Sequence, residues 1–386
     1  MELENDVISI TKKLVSIPSY LSNNTNEVEV GNYIVNYLEN INYLKVEKQH
    51  VENGRFNIIA SDGSNPKLMF CCHMDTVMPS GNWSFGPLTP NTTENKLYGL
   101  GVSDMKGGMA CVLSALKKFK ETKGLFLLFD IDEEYYFNGV TKFLEKYTPK
   151  PELIILTEPG MNIKNGHRGV IEIYFKVRGV TGHSARPELS KNVLLGVSKS
   201  ISTLISFIEL YKAIELGDST FNLAYLHGGV SFKDANKKEI IMECGNKVPD
   251  IAEGTIEIRN STNELTGDIV VNKFKEILIS NGLTIDTIEK RIDKNPFIIE
   301  KNKLSKFEHV IKSKLGKVDY ADISRYGYGE GQLLNETLGV PCVYFGPGPD
   351  STAHKTDEYV FINELELVED IIISLITEYC DVKYNK

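Results

Sequence analysis

Five short segments of the chain offer side chains that bind hard or borderline metal ions, and most of them directly follow an apolar run. In order they are Cys-Cys-His73-Met-Asp75-Thr-Val, Ser-Asp104-Met-Lys-Gly-Gly, Asp132-Glu133-Glu134, Thr-Glu158-Pro and Ala-His354-Lys-Thr-Asp-Glu-Tyr. His, Asp and Glu without cysteine suit zinc or a similar divalent ion in a catalytic rather than a structural site. The chain has no Cys-x-x-Cys, which argues against a thiolate zinc site.

Counting ligand groups along these segments gives His73, Asp104, Glu134, Glu158 and His354. Five exceed the three usual for one catalytic zinc, whereas two ions sharing a bridging carboxylate would use them all. Such a pair polarises a carbonyl and lowers the pKa of a water from 15.7 toward about 7. Asp75 is better placed to orient the His73 imidazole than to bind metal. Glu133, beside a ligand, can remain free as a general base.

Each residue also has a plainer explanation. Asp104 would make an ordinary N-cap for a helix over 105–120, but that leaves the Lys-Gly-Gly after it unexplained. Glu133 and Glu134 would be a solvated pair, except that they follow Leu-Phe-Leu-Leu-Phe-Asp-Ile-Asp. Glu158 before Pro159 could simply end a strand. What favours the metal reading is the conjunction of all five segments.

The elements that must position these residues alternate. Residues 67–72, 124–130 and 152–156 are short apolar runs of buried-strand length, and 341–345 is a further one. Ile8–Leu14 and Val28–Leu38 carry helical periodicity, as do Met109, Val112, Leu113, Leu116 and Phe119 after Asp104. Strands alternating with helices predict a mainly parallel sheet covered on both faces, with ligands beyond the carboxyl ends of its strands. The middle of the chain differs. Val170–Val177 and Thr255–Arg259 alternate like half-buried strands. One helical face runs from Val193 to Ile208, and another from Ile269 to Leu278 with Gly282 as its cap. These predict an α+β domain inserted at 169–292, between catalytic segments 1–168 and 293–386.

Two domains also follow from 386 residues. A net charge of −9 argues against nucleic acid or an anionic membrane as a partner. No apolar stretch approaches the roughly 20 residues that span a bilayer. The N-terminus lacks a signal-peptide pattern and the six cysteines form no disulfide framework, so a cytoplasmic location is expected.

These segments in this order, together with Gly-His183-Ser-Ala-Arg-Pro, resemble the zinc aminoacylase and carboxypeptidase family. That family includes acetylornithine deacetylase, succinyl-diaminopimelate desuccinylase, aminoacylase and glutamate carboxypeptidase. The match runs from Ile17-Pro-Ser to His354-Lys-Thr-Asp-Glu-Tyr-Val. The resemblance implies a zinc-peptidase-like catalytic domain with a ferredoxin-like dimerisation insert, and a homodimer holding two zinc ions per site, with cobalt or manganese as substitutes. It makes Asp104 the bridging ligand, pairs His73 with Glu158 and Glu134 with His354, and implies a cis peptide at Asp104–Met105. It gives Glu133 the role of base, and has His183 donate to the oxyanion in the partner's site. Arg259, Asn246 and Arg168 match substrate-contacting positions, with Arg259 holding a carboxylate. The implied substrate is an N-acyl amino acid or a dipeptide, with acetylornithine deacetylase-like activity leading over a desuccinylase, a carboxypeptidase or dipeptidase, or a silent metal-binding homologue.

The sequence departs from the family pattern in two places. Between Gly229 and Asn246 it is longer than family members usually are, which predicts a lengthened strand pair. The surroundings of Glu330, in Tyr-Gly-Glu-Gly, match neither the deacetylases nor the desuccinylases.

Overall fold

A computed structural model describes residues 6–385. Their contacts divide the chain into two compact units. One runs to Asn165 and resumes at Ile299–Ala321 and from Gly329 onward; the other comprises Gly166–Ile298 and Asp322–Tyr328.

The first unit is built on a seven-stranded sheet in the order Lys45–Glu52, Arg55–Ser61, Leu125–Asp130, Leu68–His73, Leu153–Leu156, Cys342–Gly346, Gly160–Lys164. The four strands from Leu125–Asp130 to Cys342–Gly346 are mutually parallel. The pairings at either margin are antiparallel, so the sheet is mixed around a parallel centre. All residues of Leu68–His73, Leu153–Leu156 and Cys342–Gly346 are buried, which requires cover on both faces. Helices Val7–Ser16, Gly107–Leu116 and Ile362–Tyr379 pack on one another. The first is capped by Asp6, whose carboxylate accepts the N–H groups of Ile8 and Ser9 at 3.0 and 2.9 Å.

The expected helix over 105–120 is shorter. It spans Gly107–Leu116, and Phe119 begins a strand, Phe119–Lys123, that pairs with Asp381–Tyr384. Phe119 is buried as its apolar period requires, but from a strand, with its ring 5.1 Å from that of Tyr384. The partner strand lies about 260 residues away, beyond the reach of local periodicity.

The second unit has a five-stranded antiparallel sheet in the order Glu239–Met242, Thr220–Lys233, Ile251–Arg259, Val170–Arg178, Thr284–Lys294. Helices Val193–Ile208 and Gly267–Ser280 join its strands, and their apolar residues share one core with the buried positions of Val170–Arg178 and Ile251–Arg259. The order of elements and strands is that of a ferredoxin-like fold. Asn192 and Thr266 cap the two helices through their side chains. Gly282, at φ +76°, reverses the chain after the second, its N–H bonding to Ile279 O at 2.9 Å.

The long segment before Asn246 is a hairpin: the end of Thr220–Lys233 pairs with Glu239–Met242 across a turn at Asp234–Lys238. Glu239 ties it down, accepting from Arg178 at 2.6 and 2.8 Å and from Lys176 at 3.0 Å. These cations hold the Glu239 carboxyl down at about 2. The return of Asp322–Tyr328 to this unit was not foreseen, because a short 3-10 turn carries no periodic signal.

Candidate active site

The carboxyl ends of the parallel strands carry the chemistry of the first unit. His73 is the last residue of its strand. Leu125–Asp130 runs into the Asp132–Phe137 turn bearing Glu133 and Glu134, and Leu153–Leu156 runs into Glu158. Cys342–Gly346 leads through a Pro-Gly-Pro turn to His354. Asp104 comes from the loop before Gly107–Leu116, and its peptide with Met105 is cis.

Two triads of donor atoms result, each within 4.8 Å: His73, Asp104 and Glu158, and Asp104, Glu134 and His354. Asp104 belongs to both through different oxygens. Its Oδ1 lies 3.1 Å from His73 Nε2 and its Oδ2 lies 3.4 Å from His354 Nε2. Glu158 Oε1 stands 3.5 Å from His73 Nε2, and Glu134 Oε2 stands 2.9 Å from His354 Nε2.

Negative charge is in excess here. Burial, with Glu158 and Glu134 close by, pushes the Glu133 carboxyl well above its ordinary range, and burial with Asp104 does the same to Glu158. Burial opposes charge on His73, but the Asp104 and Asp75 carboxylates outweigh it and raise its pKa. Asp104 and Glu134 raise that of His354 to about 11. Carboxylate and imidazole donors gathered this closely, with negative charge in excess, are a donor set fitted to divalent cations of the zinc type.

Two further carboxylates grip the main chain around the site. Asp75 Oδ1 lies 3.6 Å from His73 Nδ1, and its two oxygens accept the N–H groups of Glu133 and Glu134 at 3.2 and 3.0 Å. Glu358, only 1% exposed, accepts three N–H groups of the Asp104 loop. The residue stands in the His354 segment, yet the sequence reading gave it no role. Its only signal was a carboxylate directly before the apolar Tyr-Val-Phe. Burial pushes its carboxyl up to about 8, with the three N–H groups pulling the other way. Beneath the site, Asp130 and Glu330 face one another and Cys71, both buried.

The Lys-Gly-Gly after Asp104 is explained by approach. A Cβ on Gly108 would lie 2.0 Å from Thr157 O, next to Glu158, and one on Gly107 2.5 Å from Val102 O. Lys106 is buried and donates to Ile17 O at 2.8 Å.

The second unit holds the other four residues, in two groups. His183 and Asn246 are exposed neighbours, with Ser184 N donating to Asn246 O at 3.1 Å. Arg168 donates to Asp218 O and Thr220 Oγ1, both at 3.3 Å, and burial together with the Arg259 guanidinium lowers its pKa. Arg259 is bonded to Glu257 at 3.0 Å. The groups lie at opposite ends of the nine-residue Ile251–Arg259 strand, which spans roughly 26 Å at about 3.3 Å per residue. His167 is a core residue, its ring 4.6 Å from that of Phe297.

An α/β unit with His and carboxylate triads at its strand ends, interrupted by a ferredoxin-like insert, is the construction of a metallopeptidase-type hydrolase. The chain belongs to peptidase family M20/M25/M40, whose model matches residues 69–378. It is 26% identical to acetylornithine deacetylase of Photorhabdus laumondii over 97% of both chains. Its fold matches an M20 family metallo-carboxypeptidase of Sulfolobus solfataricus with a TM-score of 0.75 at 17% identity, covering 97% of this chain and 99% of that one. It also matches a dinuclear metal binding peptidase of that family from Bacillus subtilis, with a TM-score of 0.66 at 14% identity over 96% of each. The chain is therefore a hydrolytic enzyme. No helix among the described residues is long and apolar enough to cross a membrane.

Proposed function

We propose that this enzyme cleaves the amide bond of an N-acyl amino acid, in the manner of an acetylornithine deacetylase, as a homodimer with two zinc ions in each site. The observation that carries this reading is the pair of triads sharing Asp104, with Glu133 directly before one of their members, Glu134. His73 and Glu158 would hold one ion, Glu134 and His354 the other, and Asp104 both, with cobalt or manganese as substitutes. Ions there would polarise the scissile carbonyl and make water a nucleophile near neutral pH.

The residues do the rest. Glu133, surrounded by carboxylates, holds a proton readily: it takes one from the attacking water and delivers it to the leaving amine. Asp75 fixes the turn that aims Glu133. Arg259, with Arg168 close by, binds the substrate carboxylate in a guanidinium fork. His183 and Asn246 stand too far along the strand to share a site with Arg259 in the same chain, which supports their service to a partner's site. The exposed Leu223, Tyr225 and Leu226, on the part of Thr220–Lys233 that Glu239–Met242 does not cover, support an interface between copies. Six free cysteines, five of them buried, fit a reducing compartment, the cytoplasm.

The test is a hydrolysis panel of N-acetyl and N-succinyl amino acids and dipeptides, with and without chelator. N-acetyl substrates should be cleaved fastest, and chelation should abolish turnover until zinc is restored. Turnover that survives complete removal of metal would overturn the reading.

A further inference from the structure

Glu358 does something its neighbours do not. Its carboxylate is buried inside the protein, yet no cationic side chain pairs with it among the described ion pairs. The buried Lys106 feels its charge through space, but both carboxylate oxygens bond main chain. Oε2 accepts from Gly101 N at 2.8 Å, and Oε1 accepts from Ser103 N at 2.7 Å and from Asp104 N at 3.0 Å. Its own carbonyl accepts from Gly99 N at 3.1 Å. One residue thus takes four N–H groups of the 99–104 loop.

That loop needs an external holder. Its own bonds amount to one turn, Val102 N to Gly99 O, Lys106 N to Gly101 O and Gly107 N to Val102 O, none of which uses the N–H groups of Gly101, Ser103 or Asp104. Gly101 is left-handed at φ +72°, and Asp104 and Met105 depart from helical geometry. N–H groups buried there must find acceptors, and a carboxylate is a strong one. On its other side Glu358 opens the strand Tyr359–Phe361, which pairs with Lys96–Tyr98, the strand that delivers the same loop. Four residues earlier in the chain stands His354, itself left-handed at φ +62°. Glu358 therefore ties the Asp104 loop to the His354 turn through side chain and main chain together.

Resting on the metal-centre part of the function proposed above, we infer that Glu358 is a positioning residue: it fixes the spacing of Asp104 and His354, and so sets the affinity and geometry of the ion they share. It touches neither ion nor substrate. Its action runs through the main chain of Asp104.

The isosteric variant Glu358→Gln isolates this role. A glutamine oxygen can still serve Ser103 and Asp104, but its NH₂ would face the Gly101 N–H, donor against donor. Purified metal-free wild type and variant are titrated with zinc against a chromogenic chelator, then loaded with cobalt(II) for a visible absorption spectrum. Thermal unfolding of the metal-free proteins serves as the control. The expected result is that the variant's weaker zinc site loses about 10–100-fold in affinity and the cobalt spectrum changes, with the unfolding midpoint close to wild type. Equal affinities and superimposable spectra in a folded variant overturn the inference. So does a variant that fails to fold without metal, because Glu358 would then serve the fold and not the site. A wild type that binds no zinc would instead overturn the metal-centre reading itself.

Discussion

Asp75 holds the main chain of Glu134 through Oδ2 at 3.0 Å, while its other oxygen holds that of Glu133. The two glutamates follow one another in sequence but carry opposite tasks in the proposed site, ligand and base. A single buried carboxylate that fixes both N–H groups orients the turn so that their side chains can diverge. The Arg55 guanidinium supports the same turn from behind, bonding Asp132 at 3.1 Å and Glu27 at 2.5 and 2.8 Å.

Glu133→Gln should separate the two tasks. The amide keeps the shape but cannot take a proton, so turnover should fall by about 10²–10⁴-fold, the range for loss of general-base help. Metal content, measured by elemental analysis, should stay at the wild-type value, since Glu133 belongs to neither triad. Retention of most activity would sink the base assignment.

Gly108→Ala should damage the fold where the helix crosses the strand end. The new methyl would meet Thr157 O at 2.0 Å, a main-chain atom that cannot swing away, and the Thr157 Cβ and Oγ1 at 2.8 Å. Overpacking of this kind costs about 1–3 kcal/mol and occasionally more. A thermal unfolding midpoint lowered by several degrees, together with weaker metal retention through the neighbouring Glu158, is expected. An unchanged midpoint would mean that helix and strand separate freely.

The parallel strands at the centre of the sheet were legible because burial on both faces leaves continuous apolar runs, as at 68–73 and 153–156. The marginal strands Lys45–Glu52, Arg55–Ser61 and Gly160–Lys164 and the helices Asn138–Lys146, Ser305–Leu315, Glu330–Leu338 and Ile362–Tyr379 were not read. His73, Glu134, Glu158 and His354 were legible because each follows such a run or the turn after it. Glu358 and Asp75 were harder: their task of accepting main-chain N–H groups leaves no spacing in the sequence. Phe119 misled because an apolar residue at helical period looks the same when a distant strand claims it. Asp130 and Glu330, 200 residues apart, meet only in three dimensions, so the odd surroundings of Glu330 had no visible counterpart.

His183→Ala should lower the catalytic rate by about 10²–10³-fold, the usual effect of losing one oxyanion donor, with metal content unchanged. The sharper test is complementation. Glu133→Gln and His183→Ala chains, each nearly inactive, are mixed under conditions that exchange subunits. A mixed dimer would then pair one intact Glu133 with one intact His183 from the other chain, and activity should reappear. If mixing restores nothing while exchange is demonstrated by mass, His183 does not act across subunits.

The Asp130–Glu330 pair should make stability depend on pH in a defined direction. Burial pushes the Asp130 carboxyl up to about 7 from an ordinary 3.8, and burial with Asp130 opposite raises Glu330 well above its usual range. Both folded-state values exceed the unfolded ones, so the folded protein holds protons that the unfolded chain has released. Stability from this pair is then full below about pH 4 and is lost as pH rises through 7. Glu330→Gln removes one ionisable group and supplies an amide that donates to Asp130 without a proton. Relative to wild type, the metal-free variant should gain stability between pH 5 and pH 8, seen as an unfolding midpoint a few degrees higher at the upper end. A difference that stays flat across that window would show that the two carboxyls do not share a proton.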